Sequence, residues 1–101
     1  MNTQQRKFVN AVIQHALDNS DHCETWLEGE EWESNLTSLH YIMREIEHQG
    51  QAELYFNNAD GVCCGGFHFI DQDEEPDSPF ADYSGNKFCD DAIAAGWRAI
   101  A

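Results

Sequence analysis

Four cysteines (Cys23, Cys63, Cys64 and Cys89) and five histidines are the side chains in this chain best suited to hold a metal or attack an electrophile. Their spacing argues against both. There is no Cys-x-x-Cys pair, the usual signature of structural zinc. The nearest candidate set is His22, Cys23, Cys64 and His68. Cys64 and His68 fall on one face of an expected strand, but four residues of strand hold them about 13 Å apart. Ligands of one zinc each lie about 2 Å from it, so only a fold in the strand at Gly65-Gly66 would unite them. Cys63 alternates onto the face of Phe67 and Phe69, and Cys89 is spaced with Ile93 and Trp97 on a helical face. Both read as small core residues. A Cys–His nucleophile has no motif behind it. The expectation is a protein with no metal, no cofactor and no catalytic residue, a thiol- or metal-dependent enzyme being the lesser alternative.

A second candidate is the run DQDEEPDSPFAD, where Asp71, Asp73, Glu75 and Asp82 match positions 1, 3, 5 and 12 of a calcium loop. Position 6 needs glycine for its sharp turn and is Pro76, and position 12 is the shorter aspartate. A solvated acidic loop is the plainer reading. Gly65-Gly66 is read as a local bulge, since neither a lysine nor a helix N-terminus follows to make a phosphate cradle.

What remains is charge. The 101 residues carry 19 Asp and Glu against 5 Lys and Arg, for a net charge of −14. No base lies between Lys7 and Arg44, nor between Arg44 and Lys87. Repulsion of this size exceeds what a small domain needs to stay dispersed, about 2–8 charges. Direct binding to nucleic acid or an anionic membrane is excluded by the same repulsion. Fourteen charges match roughly 24 Å of duplex DNA, comparable with the roughly 30 Å span of a domain this long.

The elements that must position these charges follow from periodicity. Phe8, Val9, Val12, Ile13, Ala16 and Leu17 give a helix over residues 3 to 18, with Asn2 and Gln5 as a capping box. Asp21 and Glu24 read as a second capping box opening a short helix closed by Gly29. Trp32, Leu36, Leu39, Met43 and Ile46 then step by 4, 3, 4 and 3, a helical stripe over 30 to 48. From Gln51 the period becomes 2: Ala52, Leu54 and Phe56 against Glu53, Tyr55 and Asn57. A turn at 57 to 61 and a return strand, VCCGGFHFI, complete a hairpin. Phe80 to Tyr83 suits a short third strand, and Ser84-Gly85-Asn86 starts a last helix whose face is Cys89, Ile93, Trp97 and Ile100. The expected fold is α+β: helix, helix, hairpin, helix, with the helices on one face of a small antiparallel sheet, in a single domain over 1–101.

The densest acidic stretch, CETWLEGEEWES, contains two tryptophans. Trp32 lies on the expected helical stripe and reads as core, whereas Trp26 reads as an exposed interface anchor. The expected partner-binding surface is Trp26 with Glu24, Glu28, Glu30, Glu31 and Glu33, joined by Asp71, Asp73, Glu74, Glu75 and Asp77. In size and charge, though in no alignable motif, the chain resembles antirestriction and anti-CRISPR inhibitors of phages and plasmids and nuclease-immunity proteins. That resemblance implies an acidic inhibitor of a basic nucleic-acid-handling protein, a nuclease or a CRISPR or restriction effector, acting as a DNA mimic or a groove cap. Four cysteines without a visible leader make a cytoplasmic protein the expectation. The alternative is a cytoplasmic interaction module or homodimer whose charge serves only to keep it dispersed. The polar N-terminus, MNTQQRKFVN, lacks the apolar core of a signal peptide.

Overall fold

The structure, a computed structural model, describes residues 2–27, 31–70 and 80–101, and for 26–27 and 31–36 the course of the backbone alone. The fold is α+β, with helices packed on one face of an antiparallel sheet. The elements in chain order are α1 (Thr3–Asp18), β1 (His22–Leu27), β2 (Glu31–Leu36), α2 (Leu39–Gln49), β3 (Gln51–Asn57), β4 (Cys63–Ile70), β5 (Phe80–Tyr83) and α3 (Lys87–Ile100). The strands run β2-β1-β3-β4-β5 across the sheet, every neighbouring pair antiparallel.

Several elements stand where periodicity puts them. The Asn2 side chain accepts from the Gln5 backbone at 2.8 Å while the Gln5 side chain accepts from the Asn2 backbone at 3.1 Å, so α1 opens on a reciprocal cap. The β3–β4 turn is organised by Asn58, whose Oδ1 accepts from the amides of Asp60 and Val62, and Gly61 takes a positive φ of 81°. β5 is the short strand expected at 80 to 83.

Residues 22 to 36 differ from expectation. They form two strands, not a short helix and the front of a long one. Asp21 does not cap a helix; its carboxylate meets His22 Nδ1 at 2.9 Å and its amide donates to the Asn57 carbonyl. The stripe from Trp32 to Ile46 is two elements in sequence. Ser38 interrupts it, its side chain capping α2 at the Tyr41 amide, and only Leu39, Met43 and Ile46 ride on the helix. Trp26 and Trp32 are therefore strand residues, paired with each other across β1 and β2.

One core joins the layers. The sheet contributes Leu54, Phe56, Phe67 and Phe69, α1 contributes Phe8 to Ala16, α2 contributes Ile42 and Ile46, and α3 contributes Cys89 and Ala92. Phe67 and Phe69 stack at 5.5 Å, and Phe80 bridges Phe69 at 5.0 Å to Phe8 of α1 at 5.7 Å. The buried stripe of α3 is Cys89, Ala92 and Gly96. Ile93 and Ile100 pack partly against the core, and Trp97 stays 52 % exposed, edge-on to Phe8 at 4.8 Å. The cause is close approach: a Cβ on Gly96 would stand 2.7 Å from Val12 Cγ2 and 2.8 Å from the Phe8 ring. Gly65 of β4 does the same for the sheet, since a Cβ there would meet Cys89 Sγ at 2.7 Å. Among the described residues, no helix is long and apolar enough to cross a membrane.

Two substitutions test this packing. Gly96→Val should lower unfolding free energy by about 1–3 kcal/mol or more through overpacking, read from urea denaturation; an unchanged midpoint would mean that α1 and α3 are not so close. Thr25 is 1 % exposed and its hydroxyl has no hydrogen-bond partner among the described residues. Thr25→Val removes that orphaned group and keeps the shape, so stability should hold or rise by about 1 kcal/mol.

Candidate functional site: the open face of the sheet

Alternation along β3 sends Ala52, Leu54 and Phe56 into the core and leaves Glu53 and Tyr55 on the opposite face. Register extends that face across the sheet. Trp32 pairs with Trp26, Trp26 with Glu53, Glu53 with His68, and His68 with Asp82, so these five positions form one row over five strands. Glu24, Tyr55 and Gly66 form the next row.

Within this face, β3, β4 and β5 shape an open cleft of about 200 Å³ lined by Glu53, Tyr55, Gly66, Phe67, His68, Asp82, Tyr83 and Ser84. Gly66 is its floor: a Cβ there would stand 2.9 Å from the Tyr55 ring, so only glycine lets that ring lie over β4. The Tyr55 hydroxyl donates to Glu53 Oε2 at 3.4 Å, and Glu53 Oε1 is 3.9 Å from His68 Nδ1. His68 Nε2 contacts Gln51 Oε1 at 3.0 Å. Partial burial, then the adjacent Glu53 charge and the hydrogen bond to it, hold the Tyr55 phenol above its ordinary pKa and keep it a donor. At the rim, Asp82 accepts from the Tyr83 amide at 2.8 Å, and Ser84 exchanges bonds with Gly66 at 2.9 and 3.0 Å.

The charges sort by element. All five bases lie on helices: Arg6 and Lys7 on α1, Arg44 on α2, Lys87 and Arg98 on α3. The same helices carry five acids, Asp18, Glu45, Glu47, Asp90 and Asp91. Two of the bases are paired within that layer, Arg6 to Glu47 at 2.8 Å and Lys87 to Asp91. The helices are thus neutral as a set. Of the other fourteen acids, five (Glu24, Glu31, Glu33, Glu53 and Asp82) lie in the described strands, Asp21 and Asp60 lie between described elements, and seven lie outside the described residues. None of the five described strands carries a lysine or arginine.

Of the residues singled out from sequence, Glu24 stands half-buried on β1 beside Tyr55, 3.9 Å from His22 Nε2. Trp26, Glu31 and Glu33 are placed by backbone register alone. Glu28, Glu30, Asp71, Asp73, Glu74, Glu75 and Asp77 lie outside the described residues, as does most of the calcium-like run. Sequence reading passed over Glu53, Tyr55, His68 and Asp82 as a group. The hairpin signal placed both strands, but the bulge at Cys64 sets the register that pairs Glu53 with His68, and the strand after the acidic loop was needed to add Asp82.

The thiols divide differently from expectation. Cys89 is buried and donates to the Gly66 carbonyl at 3.6 Å, as a core residue should. Cys63 is exposed. The β3–β4 ladder skips one residue, pairing Phe56 with Gly65 but Asn57 with Cys63, and that bulge at Cys64 reverses the alternation beyond Gly65. Cys23 is buried against the core, its pKa pushed up to about 12 chiefly by burial, and burial likewise raises Cys89. Cys23 faces inward at the level of Phe56 while His68 faces outward at the level of Glu53. Among the described residues no three His, Cys, Asp or Glu side chains converge on a metal-sized point.

No protein-family model, curated protein or solved structure matches the chain. The arrangement is that of an acidic α+β protein whose helices are neutral as a set and whose described strands carry acids and histidines but no lysine or arginine.

Thiol labelling checks the division. Iodoacetamide at pH 8 should modify Cys63 in the native protein and leave Cys23 and Cys89 unmodified until denaturant is added, as read by peptide mass. Native labelling of Cys23 at the rate of Cys63 would contradict its burial.

Proposed function

We propose that the protein is a small acidic binder that blocks a basic nucleic-acid-handling protein, such as a nuclease or a CRISPR or restriction effector, by occupying the surface that protein uses for nucleic acid. The observation that carries this reading is the segregation of charge. A protein that used its acids only to stay dispersed would have no reason to gather every lysine and arginine on its helices and leave the described strands with none. A net charge of −14 on a body measuring 36 × 30 × 23 Å approaches the charge spacing of a duplex, which is one charge per about 1.7 Å of axis. The screening length is about 8 Å at physiological salt. Distributed fourteen-fold charge therefore steers a cationic groove from outside contact range and competes with phosphate for the same lysines and arginines.

A homodimer through the same side has the opposite electrostatics, since two like-charged faces repel. Association with a cationic surface relieves the repulsion that the free protein retains. On this reading the protein has no catalytic role, and its effect is stoichiometric.

The test is displacement. A fluorescent duplex bound to basic nucleases and to restriction or CRISPR effectors is titrated with the protein at several salt concentrations, and anisotropy is followed. The expected outcome is stoichiometric release from at least one of these at low salt, with affinity falling steeply as salt rises. Retention of the duplex by every effector at low salt, with the acidic protein sedimenting as a dimer, would instead support the interaction-module reading.

A further inference from the structure

The cleft over β3, β4 and β5 has features that bulk charge does not require. We propose that it seats an arginine side chain of the basic partner, so that the open face reads a guanidinium at a fixed place instead of serving only as a diffuse negative field. This rests on the acidic-binder reading above and locates its recognition centre.

Four observations converge on that occupant. Glu53 and Asp82 flank His68 in one row, two interstrand spacings or about 10 Å apart, and present carboxylates from both sides of the cleft. A guanidinium has five donors in a planar fork and can be held by carboxylates from more than one side, where an ammonium is a compact point charge. The Tyr55 ring lines the cleft, and an aromatic face stabilises a desolvated cation by about 0.5–2 kcal/mol, while Tyr83, in register with Phe67, turns its ring to Phe80 at 5.5 Å on the rim. Tyr55 lies over Gly66 because that position carries no Cβ, so the ring is held in place, and its hydroxyl is turned to Glu53, orienting that carboxylate. Finally, no lysine or arginine of the chain competes for the cleft: all five sit on the helices, and the described strands carry only histidine, with His68 between the two carboxylates.

The rim is suited to a protein partner. β5 is the edge of the sheet, and the Tyr83 amide is already taken by Asp82, which disfavours an added strand there. Recognition by an inserted side chain meets no such obstacle. Tyr83 is 45 % exposed and Trp97 is 52 % exposed on the far side of β5, so apolar surface stands next to the cleft for the stem and neighbours of the incoming arginine.

The probe is a synthetic octapeptide of alternating glycine and arginine, compared with the same peptide carrying lysine or neutral citrulline. Binding is followed by 1H–15N amide shifts at low salt, with thermal unfolding used to confirm that each variant folds. For the native protein the largest shifts should fall on Gly66, His68, Asp82 and Tyr83, the lysine peptide should bind several-fold more weakly, and the citrulline peptide should not bind. The variant E53Q/D82N should weaken the arginine peptide about tenfold or more, whereas D18N/D90N, which removes the same charge from the helices, should change it less than twofold. Tyr55→Leu should lower affinity several-fold without altering the salt dependence. Equal weakening by the two double variants, or shifts centred elsewhere, would overturn the cleft as an arginine seat while leaving the acidic-binder reading intact. No binding of either cationic peptide by the native protein would bring down both.

Discussion

The arrangement depends on how closely α3 approaches its neighbours. Gly96 brings the helix backbone against Phe8 and Val12 of α1, and Gly65 brings β4 against Cys89 of the same helix. Side chains at either place would hold the layers apart and loosen the aromatic cluster of Phe56, Phe67, Phe69 and Phe80 between them. Asn86 fixes the start of α3 in the same region, accepting from the Cys89 amide and donating to the Cys64 carbonyl at 3.0 Å each. With this contact made, the inner face of the sheet is sealed. The outer face is then free of packing duties, and its composition answers only to water and to partners.

That division explains which parts of the sequence were legible. α1, the β3–β4 hairpin, β5 and α3 announce themselves because each has a clean period and a cap or turn residue where one is needed. The stretch from 22 to 36 does not. The inward positions of β1 include Cys23 and Thr25, so the period-2 signal is carried by small and polar residues and is weak. Glutamate favours helices, and Trp32 and Leu36 happen to extend the spacing of α2 backwards across Ser38. Tertiary pairing with β3 overrides that propensity. Cys63 departs from its expected core position for a different reason: a single bulged residue inverts every alternation beyond it, and Gly65-Gly66 marks the place without giving the phase.

The site was legible in one respect and hidden in another. The five bases already fell in segments read as helical, so the neutrality of a helical layer was within reach of the sequence. It was obscured because Glu24 to Glu33 were also read as helical, which spread acids over both layers. Once β1 and β2 are strands, Glu24, Glu31 and Glu33 leave the helical set and the helices balance. The row joining Glu53, His68 and Asp82 needed the register of three strands, and registers across β4 and β5 are not set by a tight turn that could be read.

A sheet with one sealed face is obliged to carry polar residues on the other, but not residues of a single sign. Mixed charges in cross-strand pairs would stabilise such a face by roughly 0.2–1 kcal/mol per pair, and the helices of this same protein use that device in Arg6–Glu47 and Lys87–Asp91. The described strands offer only histidine for it, as in Glu53–His68, and no lysine or arginine. Their acids gain nothing from one another and lose by repulsion, so the free protein keeps an electrostatic strain that its own residues do not relieve. Salt screens part of that strain, and a complementary cationic surface removes more of it. The placement of tryptophans within the most acidic run fits the same logic. By backbone register they pair with each other on β1 and β2, and Trp26 pairs with Glu53, so the most acidic run continues the row that carries Glu53, His68 and Asp82.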